Sequence, residues 1–246
     1  MILSAVIIAK NEAETISRCL ASLSFCDEVV VIDNLSIDKT SNLAEKKGAR
    51  VFSVSGLDFA YLRNIGREKA KGDWLLYVDA DEWISSQLKA SIRSAVKSGY
   101  AAFAVDRKNY YFGRLWPNRE SMVRLVRKDA LVGWQGGLHE TAQVRGKIGR
   151  LDGELMHDTH RDLTGMLEKT NIWSDFEAQL RYKNNHPPIS WWRFFRVMIS
   201  AFWKSYIREK GYLAGTVGLI ESLYQSFSMF ITYAKLWEKQ NNRPVN

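Results

Sequence analysis

Five largely apolar residues, Trp74-Leu75-Leu76-Tyr77-Val78, run directly into three carboxylates, Asp79, Asp81 and Glu82. A continuous apolar run of this length fits a parallel strand covered on both faces. Acidic residues at its C-terminal end then fall in the crevice where open α/β sheets bind ligands. If the chain stays extended, strand alternation puts Asp79 and Asp81 on one side. Two carboxylates so placed repel each other and call for a cation. A hard divalent ion, Mg²⁺ or Mn²⁺, suits them, above all one that also carries phosphate oxygens. The competing reading of this Asp-x-Asp motif is a solvated acidic turn that caps a helix starting near Ser86.

The surrounding pattern decides between them. Residues 1–105 alternate strand and helix signals. Strands are expected at Ile2–Ala9, Val29–Ile32, Val51–Val54, Trp74–Val78 and Ala101–Val105. Helices are expected at Glu14–Leu23, Lys39–Lys47, Tyr61–Ala70 and Ser86–Ser98, with Gly48 placed to stop the second. Such alternation predicts a βαβ sheet with right-handed crossovers. Three polar loops then follow strand ends: Ala9-Lys10-Asn11-Glu12, Asp33-Asn34-Leu35-Ser36-Ile37-Asp38 and Asp79-Ala80-Asp81-Glu82. Each alone could cap a helix; together they have the layout of a nucleotide site. No Gly-x-Gly-x-x-Gly follows the first strand and no Gly-Lys-Ser/Thr occurs, so a dinucleotide fingerprint and a P-loop are both absent.

Charge narrows the partners. The chain of 246 residues carries a formal +8, which points to a polyanion: nucleic acid, an anionic membrane or a phosphate-bearing substrate. No nucleic-acid motif is present, and the basic residues are spread over two regions. Cys19 and Cys26 form neither a metal pattern nor a disulfide framework, and read as buried thiols of a reducing compartment. The apolar N-terminus lacks a basic leader and runs into Lys10-Asn11-Glu12, which fits a first core strand better than a signal peptide. No uncharged run of 18 or more residues suggests a spanning helix.

Taken together, Val6-Ile7-Ile8-Ala9-Lys10-Asn11-Glu12, Val29 through Thr40, Arg63-Asn64 and Gly72 through Glu82 resemble family 2 glycosyltransferases of the GT-A fold. Within that family the resemblance is to the branch acting on lipopolysaccharide core, described as β-1,4-glucosyltransferases. It implies a GT-A, Rossmann-like α/β fold: a mostly parallel sheet flanked by helices, here with a C-terminal amphipathic helical extension. It further implies that the backbone of Ala9 and the side chain of Glu12 touch the nucleoside, that Asp33 reads the base, and that Arg63 and Asn64 lie near base and phosphates. Asp79 would hold the ribose side and Asp81 the metal. The second loop reads Asn34-Leu35-Ser36 where many relatives have Asp-Gly-Ser, and loss of that glycine restricts the turn.

Residues 106–150 hold ten basic and four acidic side chains, a net +6. Most of that reads as solvated surface; the sharper reading is a basic wall facing a phosphorylated acceptor. Within it lies Gly133-Trp134-Gln135-Gly136-Gly137-Leu138-His139-Glu140. Inverting transfer to a sugar hydroxyl needs a base near that hydroxyl, and Glu140 is the best candidate. The resemblance supports Glu140 as base with His139 beside it, in the place of the Glu-Asp pair common in the family. Trp134 is expected either to stack on an acceptor sugar or to pack on the sheet. By the same resemblance His157 would join Asp81 on the metal, with His160 the weaker candidate.

Pro187-Pro188 breaks the chain, so the expected division is a GT-A domain over 1–186 (a nucleotide-binding half, 1–105, and an acceptor and catalytic half, 106–186) and a helical, membrane-associating region over 187–246. From Trp191 to Arg208, Trp191, Phe195, Met198, Phe202 and Tyr206 fall along one helical side and Arg193, Arg196, Lys204 and Arg208 along the other. That is what an interfacial helix on anionic lipid needs, although packing on the catalytic domain would use the same pattern.

The leading expectation is a metal-dependent, inverting hexosyltransferase. It would use a nucleotide-diphosphate sugar, UDP-sugar first among them, and pass a hexose such as glucose to a lipid-linked saccharide like lipopolysaccharide core. Its expected location is the cytoplasm, peripheral on the inner membrane. The alternatives are a non-catalytic nucleotide-sugar binding protein at a membrane surface and a sugar nucleotidyltransferase. The latter would want a glycine-rich loop after the first strand, where this chain has Lys10-Asn11-Glu12-Ala13-Glu14.

Overall fold

The computed structural model describes residues 1–56, 58–136 and 140–241. Two compact units form. The first comprises Met1–Lys108 and Arg119–His157; the second comprises Asn109–Asn118 and the chain from Asp158 onward.

The first unit begins with β1 (Leu3–Ala9), α1 (Ile16–Ser22), β2 (Glu28–Asp33), α2 (Thr40–Lys46), β3 (Arg50–Ser53), α3 (Phe59–Lys69), β4 (Trp74–Asp79), β5 (Glu82–Ile84) and α4 (Ser86–Ala95). It continues with β6 (Ala102–Tyr111), β7 (Arg114–Arg127), β8 (Leu131–Gln135), β9 (Thr141–Val144) and β10 (Ile148–His160), although the ends of β6, β7 and β10 fall in the second unit. Eight strands form one sheet in the order β3-β2-β1-β4-β7-β6-β10-β5, while β8 and β9 form a separate pair.

β1 pairs in parallel with β2 and with β4, and β2 with β3. These are the strands the βαβ pattern predicted. The other half is different: β4 pairs antiparallel with β7, and β10 antiparallel with β5. The sheet is therefore mixed, parallel from β3 to β4 and with antiparallel pairs beyond. The first part of β6 is the strand expected at Ala101–Val105, but the rest of β6, β7 and β10 leave many side chains half-exposed, so the apolar signal that marked β1 and β4 is missing there.

Period-two alternation fills both sides of the parallel half. Ala5, Ile7, Trp74, Leu76 and Val78 join Ile16, Leu23, Leu88 and Ile92 in one cluster. Val6, Ile8, Leu75 and Tyr77 join Leu62, Val30 and Ile32 in the other. Each such side chain contributes about 1.5–3 kcal/mol on full burial, so β4 is fixed from both faces. Gly66 brings α3 close to this sheet: a Cβ there would meet Val6 Cγ1 at 2.3 Å. That approach seats Arg63 and Asn64, one turn earlier, over the sheet.

The second unit is helical: α5 (Leu163–Lys183), α6 (Trp191–Trp203) and α7 (Thr216–Asn241), with a π-helical turn at Lys204–Arg208 and a 3-10 turn at Gly211–Ala214. Asp162 caps α5 by accepting from Gly165 N–H at 2.8 Å. Ala178, Ile189, Tyr233 and Leu236 form the buried centre of the unit. The Pro187-Pro188 break lies inside it, between α5 and α6.

Candidate active site

β4 ends at Asp79, the chain turns through Ala80 and Asp81, and β5 begins at Glu82. Asp79 and Asp81 therefore do not continue one extended strand. The cap of α4 is Ser85, whose Oγ accepts from Leu88 N–H at 3.2 Å. That removes the helix-capping reading of the acidic turn.

Glu82 is fully buried. Its Oε2 accepts from the Asp79 N–H at 2.8 Å, which closes the turn. Its Oε1 accepts from Arg124 Nη2 at 3.0 Å and Arg107 Nη1 at 3.1 Å. Arg124 reaches the rim because β7 runs antiparallel to β4, with Leu125 opposite Leu76. Asp79 is shared between two arginines: Arg63 Nη2 donates to Oδ1 and Arg124 Nη2 to Oδ2, both at 2.8 Å. Burial would raise the Asp79 pKa, but Arg124 and then Arg63 outweigh it and hold the carboxyl well below its usual range. Conversely, the Arg124 guanidinium, which burial alone would weaken, is held protonated by Asp79 and Glu82. The compensating cations for Asp79 and Glu82 are thus arginines. Arg107 and Arg124 belong to the net +6 stretch that reads mostly as solvated surface or, more sharply, as a basic wall, yet both are engaged at the rim, Arg124 almost wholly buried.

Arg63, only 2% exposed, also joins a distant segment: its Nε donates to Glu140 Oε1 at 2.9 Å. One guanidinium so connects Asp79 with the expected base. It lies 4.9 Å from the centroid of the Trp134 ring, which in turn meets Tyr77 edge-on at 4.7 Å. Trp134 is only 6% exposed. Its ring packs on the sheet and on Arg63, the second of the two arrangements expected for it. Asn64 clamps the same residue by its backbone, donating from Nδ2 to Trp134 O at 3.0 Å and accepting at Oδ1 from Trp134 N–H at 2.9 Å. Its amide thus works on the strand that leads to Glu140. His139 lies outside the described residues.

His157 stands opposite Glu82 in the β5–β10 ladder, next to Asp81. Its Nε2 is 3.3 Å from Asp81 Oδ2. Burial works to lower the His157 pKa, but the Asp81 charge and hydrogen bond prevail and raise it. Two donors of one ion with bonds near 2.1 Å lie roughly 3 Å apart, so this oxygen and nitrogen fit adjacent positions on Mn²⁺ or Mg²⁺. Among the described residues no group of three or more His, Cys, Asp or Glu side chains could hold a metal. At this point the described residues bring one carboxylate and one imidazole together, too few by themselves to enclose an ion.

The remaining expected residues line the first two loops. Ala9 is buried at the end of β1, and its carbonyl accepts from Asn34 N–H at 2.8 Å. Glu12 is nearly buried and accepts from Thr15 Oγ1 at 2.9 Å. Asp33 closes β2 and accepts from the Ser36 N–H at 3.1 Å and from the Ser36 hydroxyl. Leu35, where a glycine was missed, has φ 54°. His160 belongs to the second unit, where its Nδ1 lies 2.9 Å from Glu221 Oε2.

With this geometry in place, comparison with known proteins is informative. The family model described as "Glycosyl transferase family 2" matches residues 4–199. An "Uncharacterized glycosyltransferase" of Rickettsia bellii (strain RML369-C) is 28% identical over 259 residues, covering 96% of this chain and 86% of that protein. The "Lipopolysaccharide core biosynthesis glycosyltransferase LpsC" of Rhizobium meliloti (strain 1021) is 24% identical over 253 residues, covering 96% of this chain and 92% of that one. Among solved structures, S. aureus TarS 1–349 matches with a TM-score of 0.50 at 14% identity, covering 100% of this chain and 93% of that chain. That likeness speaks for the fold alone.

Proposed function

The chain belongs to glycosyl transferase family 2, and from that premise we propose that it is a metal-dependent, inverting hexosyltransferase. The donor is a nucleotide-diphosphate sugar, UDP-linked in this reading, and the acceptor is a lipid-linked saccharide of the lipopolysaccharide-core type. One observation carries the proposal. Asp79, Asp81, Glu140 and His157 belong to three separate segments, and contacts of 2.8–3.3 Å tie them at one rim of the sheet, with Arg63 reaching both Asp79 and Glu140.

The carboxylates divide the labour. Asp79 and Glu82, tied to arginines, fix the turn. Asp81 and His157 would hold Mg²⁺ or Mn²⁺. A divalent cation bound there would neutralise charge on the departing diphosphate. Glu140 takes the proton of the acceptor hydroxyl as that oxygen bonds to the anomeric carbon, and the bond from that carbon to the diphosphate breaks. Arg63 holds Glu140 Oε1, so in this reading Oε2 is the oxygen that takes the acceptor proton. Arg63 Nη1 and Arg124 Nη1 are buried without a hydrogen-bond partner among the described residues, and spare donors of this kind favour a polyanionic ligand nearby. The distant likeness to a lipopolysaccharide core enzyme supports the acceptor class.

Isothermal titration with UDP, with and without Mn²⁺, tests the donor half. We expect Mn²⁺ to tighten UDP binding at least tenfold in the wild type and to have no such effect in Asp81→Ala. Equal Mn²⁺ dependence in both proteins would remove Asp81 from the metal site.

A further inference from the structure

We infer that the outward face of α6 is a docking surface for an anionic lipid bilayer. The inference deepens the proposal of a lipid-linked acceptor, yet its observations are those of the helical unit alone. Every fourth residue of the helix is apolar and exposed: Trp191 75%, Phe195 62%, Ile199 66% and Trp203 58%, with Ile207 in the following π-helical turn at 43%. This differs from the face expected from sequence, since Met198, Phe202 and Tyr206 turn partly inward.

The exposed stripe is not a half-made contact with α7. α6 already has a packed side, where Phe194 and Val197 lie against Tyr233 and Leu236. Ser226 Oγ donates to Met198 O at 2.6 Å, and Ser205 Oγ meets Ser222 Oγ at 3.0 Å. An apolar stripe of this length exceeds the scattered single exposures normal on a soluble surface.

Charge identifies the occupant. Arg196, Lys204 and Arg208 are also exposed, each one position along from a residue of the apolar stripe and so about 100° round the helix from it, where they flank the stripe. No carboxylate occurs between Pro187 and Arg208. Glu209 is the first, 3.8 Å from Lys204, which stays 68% exposed. A stripe of Trp, Phe and Ile flanked by Arg196, Lys204 and Arg208, with Glu209 the one carboxylate beside them, matches the boundary between acyl chains and anionic headgroups. No helix among the described residues is long and apolar enough to cross a membrane, so the geometry is that of a helix lying in the interface.

Co-sedimentation of the full chain with phosphatidylglycerol/phosphatidylcholine vesicles, against pure phosphatidylcholine, tests this. The wild type should partition onto the anionic vesicles and be released by high salt. Each surface cation is worth about fivefold in partition. The Arg196→Gln/Lys204→Gln/Arg208→Gln variant should therefore bind anionic vesicles about a hundredfold more weakly. Trp191→Ser/Ile199→Ser/Trp203→Ser should lose at least tenfold, and Trp191→Ser alone, at a highly exposed site, should lose a measurable part. UDP binding in the presence of Mn²⁺ should be unchanged in all three, which separates a failed docking surface from a failed donor site. Absence of wild-type binding to anionic vesicles, or wild-type binding by both triple variants, would overturn the inference. So would a wild-type dimer in light scattering that the tryptophan variant converts to a monomer, since the stripe would then meet a second copy.

Discussion

Leu35 is a leucine in the left-handed region, with φ 54° and its side chain 53% exposed. An L side chain there costs roughly 1–2 kcal/mol. Glycine removes that cost and returns about 0.5–1 kcal/mol through the freer unfolded chain. Leu35→Gly should thus stabilise the protein by about 0.5–1 kcal/mol in urea unfolding; a loss of stability would show that the side chain supports the loop. The missing glycine was legible in the sequence. So were Asp79, Asp81 and Glu140, because carboxylates beside apolar runs and glycine-rich loops stand out. The partners of those carboxylates were not. Arg107 and Arg124 sit in a stretch of net +6, and an arginine in such a stretch looks the same in solvent or against a buried carboxylate until strand register places it. Trp134 was ambiguous for a similar reason: only the fold shows that Arg63 and Tyr77 already occupy its ring.

At the level of elements, the turn between β4 and β5 organises the rim. Glu82 closes it through the Asp79 N–H and anchors Arg107 and Arg124. Removing one partner of a buried ion pair strands the others and costs about 3–5 kcal/mol. Glu82→Gln keeps the shape but loses the charge, so it should lower unfolding stability by an amount of that order, measured by urea denaturation. A change below about 1 kcal/mol would mean that the arginines find other partners and the turn does not depend on Glu82. The parallel strands were legible because both their faces are buried, which leaves a continuous apolar run. β7, β10 and the part of β6 beyond Val105 were not, because their half-exposed faces mix polar and apolar residues without a clean period. The register of β10 on β5 is what puts His157 beside Asp81, a juxtaposition that local pattern does not encode.

For the molecule as a whole, the first unit carries a mixed sheet whose parallel half gives the rim and whose antiparallel half supplies Arg124, Arg107 and His157 to it. Strand-helix alternation over the first 105 residues made the parallel half legible; the contribution of the antiparallel half depended on long-range pairing that local pattern does not encode. In the proposed reaction the carboxylates at this rim have separate tasks, with Glu140 reserved for the acceptor proton. The most direct measurement compares Glu140→Gln with wild type in two readouts: UDP affinity with Mn²⁺, and transfer of hexose from a UDP-sugar to a lipopolysaccharide-core acceptor. UDP affinity should stay within about threefold of wild type while transfer falls by roughly 10²–10⁴, the range of a lost general base. Wild-type transfer by Glu140→Gln would contradict that division of tasks.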